Sequence, residues 1–257
     1  MKRICLQNVF RKVGLFGLLI SAPFLLQAQT PLVILKKMDA QAASIKDKTA
    51  QVVMQMIDNR TGKVKTRKAV LMQKLPYKTL FRFTYPPSQA GIGTLSLPGG
   101  IVYLYMPAFG KPKKISSIAN GGAFSQSDFS TEDMGPKNWA ENYHATLLST
   151  NDTAYVLQLI PQKAGPKYAR LVVTVNKKHF FPQRVVYYNQ QGQIAREADY
   201  KYVKIGNLWT VAVASMTNFS KAHTTRIINS DIRLNRGLKD SLFTPEQLMR
   251  ADGKNKK

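Results

Sequence analysis

The sequence predicts a mainly β protein: one meandering antiparallel sheet, curled around two or three helices, in a single domain. Three observations predict it. About eleven short runs alternate in side-chain direction and are separated by closely spaced turn residues. The run 101 to 106 is apolar on both faces, the pattern of a strand covered on both sides. No Gly/Ser-rich or Pro-rich linker divides the chain and no internal repeat is present, so one domain is expected although the length would allow two.

The elements follow in order. After Pro31, the residues Leu35, Met38, Ala42 and Ile45 recur at helical spacing with Lys36, Lys37, Asp39 and Lys46 between them. This predicts an amphipathic helix over 31 to 47, its apolar stripe facing the core. From Thr49 the period becomes two: Val52, Met54 and Met56 share a face, and Asn59-Arg60-Thr61-Gly62 reads as a hairpin turn into a partner strand over 64 to 73. Strands are expected at 79 to 85, 92 to 97, 101 to 106 and about 113 to 118. Pro86-Pro87, Gly91, Gly93 and Pro98-Gly99-Gly100 punctuate them. A short helical patch, 128 to 143, interrupts the series. Strands resume at 144 to 149, 154 to 160, 169 to 176, 184 to 189, 194 to 205, 208 to 219 and 224 to 234. Thr244-Pro245-Glu246 opens a capped helix, and 251 to 257 is a polar, basic tail expected to be disordered. A sheet of this length must hide its edges and one face, and curling around helices does both.

The N-terminus predicts export. Lys2, Arg3, Arg11 and Lys12 precede an uncharged, mostly apolar run from 13 to 26, and Leu26-Gln27-Ala28 is a serviceable cleavage site. The run is short of the roughly 20 residues a permanent span needs. The alternative, an uncleaved anchor, draws on the bulky Leu26. Cleavage at Ala28 divides the chain into a leader, 1 to 28, a domain, 29 to 250, and the tail. Cys5 is the only cysteine and precedes the apolar run, so the chain should not itself be lipidated. The exported part then holds no thiol, which excludes disulfides and thiolate metal sites. About 229 residues can instead bury some 70% of their unfolded surface in a core.

The formal charge is +24, or +20 once the leader is removed. Such an excess attracts anions and opposes self-association, which predicts a monomer. Nucleic acid is the usual partner of so basic a chain, but an exported protein meets little of it. Anionic lipid head groups and membrane surfaces fit better. The plainer reading is a solvated basic face, since Lys and Arg are spread along the chain rather than packed into one run.

The sequence offers no catalytic constellation. His144, His179 and His223 stand far apart, with no carboxylate or second His at metal-ligand spacing, and no nucleophile elbow, phosphate loop or dinucleotide fingerprint occurs. No cofactor, metal or enzymatic activity is expected. Ser127, Asp128, Phe129, Glu132 and Asp133 form the one acidic segment. Its carboxylates either bind a cation or basic partner, cap the start of the helical patch, or pair with Lys111, Lys113 and Lys114. Phe81, Phe83 and Tyr85 share one strand face; Ile101, Tyr103 and Tyr105 share another, with Met106 following. Phe81, Phe83, Tyr103, Tyr105, Met106 and Trp209 are the candidate lining of a ligand cavity; the plainer reading of each is ordinary core. Flexible methionines suit a pocket for varied acyl chains.

The order FRFTYPP, a Gly-containing strand, VYLYMPAFGKPKKIS, then SDFSTEDM, with NRGLKDSLFT near the end, resembles the outer-membrane lipoprotein-sorting proteins, in a LolA-like, uncharacterised branch. The likeness covers about 31 to 249. It implies a half-open antiparallel β-barrel covered by α-helices, in the manner of LolA and LolB. It also implies an apolar interior that shelters lipid or lipoprotein acyl chains. The expected role is that of a periplasmic, non-enzymatic carrier working with an inner-membrane exporter; a ligand-sensing or scaffold domain is the alternative. One Arg in the first strands of such carriers helps gate the cavity, and Arg67 and Arg82 are both available.

Overall fold

The computed structural model describes residues 29–75, 78–115, 127–130, 133, 135, 137–163 and 167–250. The leader, the tail and Glu132 lie outside the described residues. Thirteen strands build one antiparallel sheet: β1 (Asp47–Asp58), β2 (Val64–Lys74), β3 (Lys78–Tyr85), β4 (Gly93–Leu97), β5 (Ile101–Tyr105), β6 (Lys113–Ile115), β7 (Tyr143–Thr150), β8 (Ala154–Pro161), β9 (Arg170–Asn176), β10 (Pro182–Tyr188), β11 (Ile194–Ile205), β12 (Leu208–Asn218) and β13 (His223–Leu234). Their order is β6-β5-β4-β3-β2-β1-β13-β12-β11-β10-β9-β8-β7. Each strand pairs with its neighbour in sequence, except that β1 and β13 meet at the centre and β6 and β7 become the two edges. The sheet is therefore open among the described residues, and its thirteen strands answer to the thirteen runs placed along the sequence.

Helix α1 (Pro31–Ala43) starts with Pro31 at its first position and the Thr30 hydroxyl accepting from the Val33 N–H. It ends four residues before the predicted boundary, because Asp47 already pairs with Lys74 in the sheet and 44 to 46 must turn the chain. Ile34, Leu35 and Met38 are fully buried against Val52, Met54 and Met56 of β1 and the inward residues of β8 to β13. Alternation along each strand supplies this main core: Leu157 and Leu159, Leu171, Val173 and Val175, Val185 and Tyr187, Ala198, Met216 and Ile227.

The helical patch expected over 128 to 143 is mostly absent from the described residues. Only α2 (Trp139–Asn142) is helical there as a complete element. Asn138 before it adopts a left-handed backbone, φ 46°, so the helix cannot run back through that position. The Asp39 carboxylate of α1 instead accepts from the Trp139 and Ala140 N–H groups, at 2.8 and 2.9 Å. An acidic side chain from another element thus caps the short helix.

A second, smaller core lies on the opposite face of β3 to β5. Leu80, Leu95, Phe243 and Leu248 are buried together there, with Tyr103, Tyr105 and Leu97 half-buried against them. The cover is the C-terminal segment with α3 (Pro245–Met249). Asp47 fastens that segment by accepting from the N–H groups of Arg236, Gly237 and Leu238.

Candidate functional site

The acidic segment is built into the fold, between the ends of β11 and β13. The Asp128 carboxylate accepts from the Thr225 hydroxyl at 2.7 Å and lies 2.5 Å from His223 Nδ1, and its N–H donates to the same Thr225 hydroxyl. Phe129 is buried in the main core. Asp133 accepts from the Ser130 N–H and hydroxyl, from Lys137, and from the Tyr187 phenol at 3.1 Å. Arg196 lies over the neighbouring rings of Tyr168 and Tyr187, 4.9 and 4.8 Å from their centres, and donates to the Asp128 carbonyl. Its charge reaches Asp133 at 3.1 Å.

Electrostatics follow from that packing. Burial alone would raise the Asp133 carboxyl, but the charges of Lys137 and Arg196 hold it well below the usual carboxylate range. Burial lifts the Tyr187 phenol well above its ordinary value, so it remains a donor to Asp133. Neither Asp128 nor Asp133 pairs with the loop lysines considered from sequence; His223, Lys137 and Arg196 take that place. Helix capping does not use Asp128, but Asp133 and Ser130 form a reciprocal cap: the carboxylate accepts from the Ser130 N–H at 2.8 Å and the Asp133 N–H donates to the Ser130 hydroxyl at 3.3 Å. A cleft of about 350 Å³ borders this segment, lined by Ser127, Ser130, Lys167, Tyr168, Arg196 and Lys221 among others.

The aromatic candidates divide between the two faces of the sheet. Register explains the division: Phe81 pairs with Thr94 and Thr94 with Leu104, whereas Leu80 pairs with Leu95 and Leu95 with Tyr103. Phe81 and Phe83 enter the main core, edge to face at 5.2 Å. Tyr103 and Tyr105 turn to the outer face, under the C-terminal segment. Met106, expected within the strand, begins the turn after β5. Trp209 is half-buried at the start of β12, its ring tilted against those of His179 and Phe181 at 4.7 and 5.6 Å, and its carbonyl accepts from Gln41 of α1 at 3.0 Å. Of the six, then, Phe81 and Phe83 share one environment, Tyr103 and Tyr105 a second, and Met106 and Trp209 stand apart.

The two arginines divide likewise. Arg67 stands on the core face, its guanidinium 5.4 Å from the Phe83 ring centre, and burial lowers its pKa from the ordinary value. Arg82 lies on the outer face and donates to the carbonyls of Gln247 and Arg250, a cation at the end of α3. A further polar residue of the core face escaped notice in the sequence. Lys48 is buried on the side of β1 that carries Ala50, Val52 and Met54, and burial pushes its ammonium down to about 8. The alternation of β1 runs through Lys48, so its inward position was legible; its charge concealed it.

Among the described residues no group of three or more His, Cys, Asp or Glu is placed to hold a metal ion. Nor is any described helix long and apolar enough to cross a membrane.

The fold has close counterparts. An outer membrane lipoprotein-sorting protein domain from Vibrio parahaemolyticus superposes with TM-score 0.74 at 25% identity, covering 86% of this chain and 98% of the other. A DUF1329 family protein from Desulfovibrio piger gives 0.75 at 24% identity, covering 86% and 100%. A LolA superfamily protein from Nitrosomonas europaea gives 0.65 at 21% identity, with the same coverage. These last two likenesses speak to the fold. A comparison with curated proteins finds no match. A family model described as "Uncharacterized protein" matches residues 76–250. The chain belongs to that uncharacterised family, and its fold resembles those of the outer membrane lipoprotein-sorting and LolA superfamily structures.

Proposed function

We propose that this protein is a periplasmic, non-enzymatic carrier that holds lipid or lipoprotein acyl chains against the apolar face of its sheet. The observation that carries the reading is the position of α1. Ile34, Leu35 and Met38 sit with no or almost no exposure on a continuous apolar surface formed by β1 to β3 and β8 to β13. A helix on such a face occupies the place an acyl chain would take. In this reading the sheet is a half-open barrel, α1 is its cover, and the described state is closed. Burial of an acyl chain contributes about 0.8 kcal/mol per CH₂ group, so a long chain can displace the three apolar side chains of the helix. The LolA-like fold supports the assignment, as does the exported N-terminus read from the sequence. An inner-membrane exporter is the expected donor of the cargo.

Competition between helix and cargo supplies the test. Leu35→Ala weakens the cover without touching the sheet. A fluorescent fatty-acid probe should bind the variant more tightly than the wild type while the melting temperature falls. A fall in melting temperature with no change in probe binding would remove the carrier reading. The second reading, a ligand-sensing or scaffold domain, is favoured by one observation: Phe81 and Phe83 pack edge to face as ordinary core. That reading requires the probe to bind neither protein.

A further inference from the structure

We propose that the turns at the ends of β3 and β5, with the last residues of α3, form a surface that docks on an anionic lipid bilayer. The proposal rests on the carrier reading only for its purpose, because a carrier must deliver its cargo at a membrane.

Charge is the first observation. Between Asn59 and Ser127 the chain has no Asp or Glu and eleven Lys or Arg. This carboxylate-free stretch includes β2 to β6, one whole flank of the sheet. A net charge of +24 spread evenly would say little; a flank whose own strands and turns carry one sign only, against two carboxylates from the C-terminal segment, creates a local field that favours an anionic surface. Two carboxylates of the C-terminal segment reach this flank: Asp240, held by Lys74 and Lys78 at 2.7 and 2.9 Å away from the turns after β3 and β5, and Glu246, exposed in the first turn of α3 and hydrogen-bonded to Thr244.

Apolar exposure is the second. Phe109 is 60% exposed, Tyr85 47% and Met249 42%. They belong to three separate segments, yet the fold brings those segments together. A cleft of about 400 Å³ is lined by Thr84, Pro107 and Met249, the neighbours or members of all three. Gly91 marks how closely the two turns approach: a Cβ there would meet Pro107 Cγ at 2.9 Å, and its φ is +84°. Lysines flank the aromatic tips, Lys113 lying 5.0 Å from the Phe109 ring centre and Lys68 5.9 Å from that of Tyr85. Lys111 and Lys114 are exposed beside them. Aromatic and thioether tips that enter the interface, ringed by cations that meet lipid phosphates, are the chemistry of reversible membrane docking.

Co-sedimentation of the exported protein with vesicles tests this. The expected result is binding to phosphatidylcholine mixed with phosphatidylglycerol, none to phosphatidylcholine alone, and loss of binding at high salt. Lys111→Ser with Lys113→Ser should lower the partition coefficient roughly 25-fold, about fivefold per lysine. Phe109→Ser should lower it further at every salt concentration. Lys178→Ser with Lys204→Ser, exposed positions at the opposite end of the sheet, should leave it unchanged. No binding to the anionic vesicles overturns the proposal. Equal losses in the two lysine pairs overturn it too, since net charge alone would then be responsible. Fatty-acid probe binding, measured on the same variants, reports the carrier reading separately: it should stay at the wild-type level even if docking is lost.

Discussion

Arg196 Nη1 lies 3.1 Å from Asp133 Oδ2, and the two side chains are 7% and 1% exposed. This pair joins the acidic segment to the middle of the sheet. Breaking a buried pair leaves an uncompensated charge, at a cost of about 3–5 kcal/mol. Asp133→Ala should lose that much stability in urea denaturation. Arg196→Met combined with Asp133→Leu should recover a large part, because neither member of the pair then leaves its partner's charge buried alone. A loss under 1 kcal/mol in the single variant would show that the pair is open to water.

The same pair sets an acid dependence. Asp133 is held below its ordinary 3.8, so the folded state binds its proton less readily than the unfolded chain does. Its contribution is therefore complete above about pH 4 and is lost as the pH falls toward the folded value. Melting temperature measured against pH should drop on the acid side in the wild type and less so in Asp133→Asn.

Lys48 predicts the opposite window. Burial pushes it to about 8 from 10.5, so between these values the unfolded chain holds more protons than the folded one. Stability should rise with pH across that interval, and the penalty should be complete below it. Lys48→Met should stabilise the protein by about 2–3 kcal/mol at neutral pH and abolish the alkaline rise. Equal or lower stability in the variant would mean that the ammonium is solvated.

His223 holds Asp128 from 95 positions away. His223→Ala removes one partner of a buried carboxylate and should cost about 1–3 kcal/mol. Hydrogen exchange at 127–130 should accelerate in the variant while the central strands β1 and β13 keep their protection. Uniform acceleration would show instead that the contact stabilises the whole sheet.

Much of this fold was legible from alternation alone. Val52, Met54 and Met56 point inward as their spacing requires, and the turn at 59–62 lies where it was expected. The division of the aromatics was less legible. Tyr103 was read with Phe81 because both strands alternate, but alternation gives two faces and not which faces of different strands coincide. Register decides that: Leu95, opposite Tyr103, also faces Leu80. The partners of the acidic segment were hidden for another reason. Asp128 with His223, and Asp133 with Arg196, are long-range pairs; local spacing showed only helix capping, which Asp133 makes with Ser130 and Asp128 does not make.

Native mass spectrometry of protein purified from the periplasm, without detergent, is the most direct test of the central claim. An acyl-bearing ligand should travel with a fraction of the protein, be released on denaturation, and be identifiable by lipid extraction. If the leader read from the sequence is removed, the bound species should also begin near residue 29. Protein free of acyl ligand in every preparation, together with no uptake of an added fatty-acid probe by wild type or Leu35→Ala, would contradict the account.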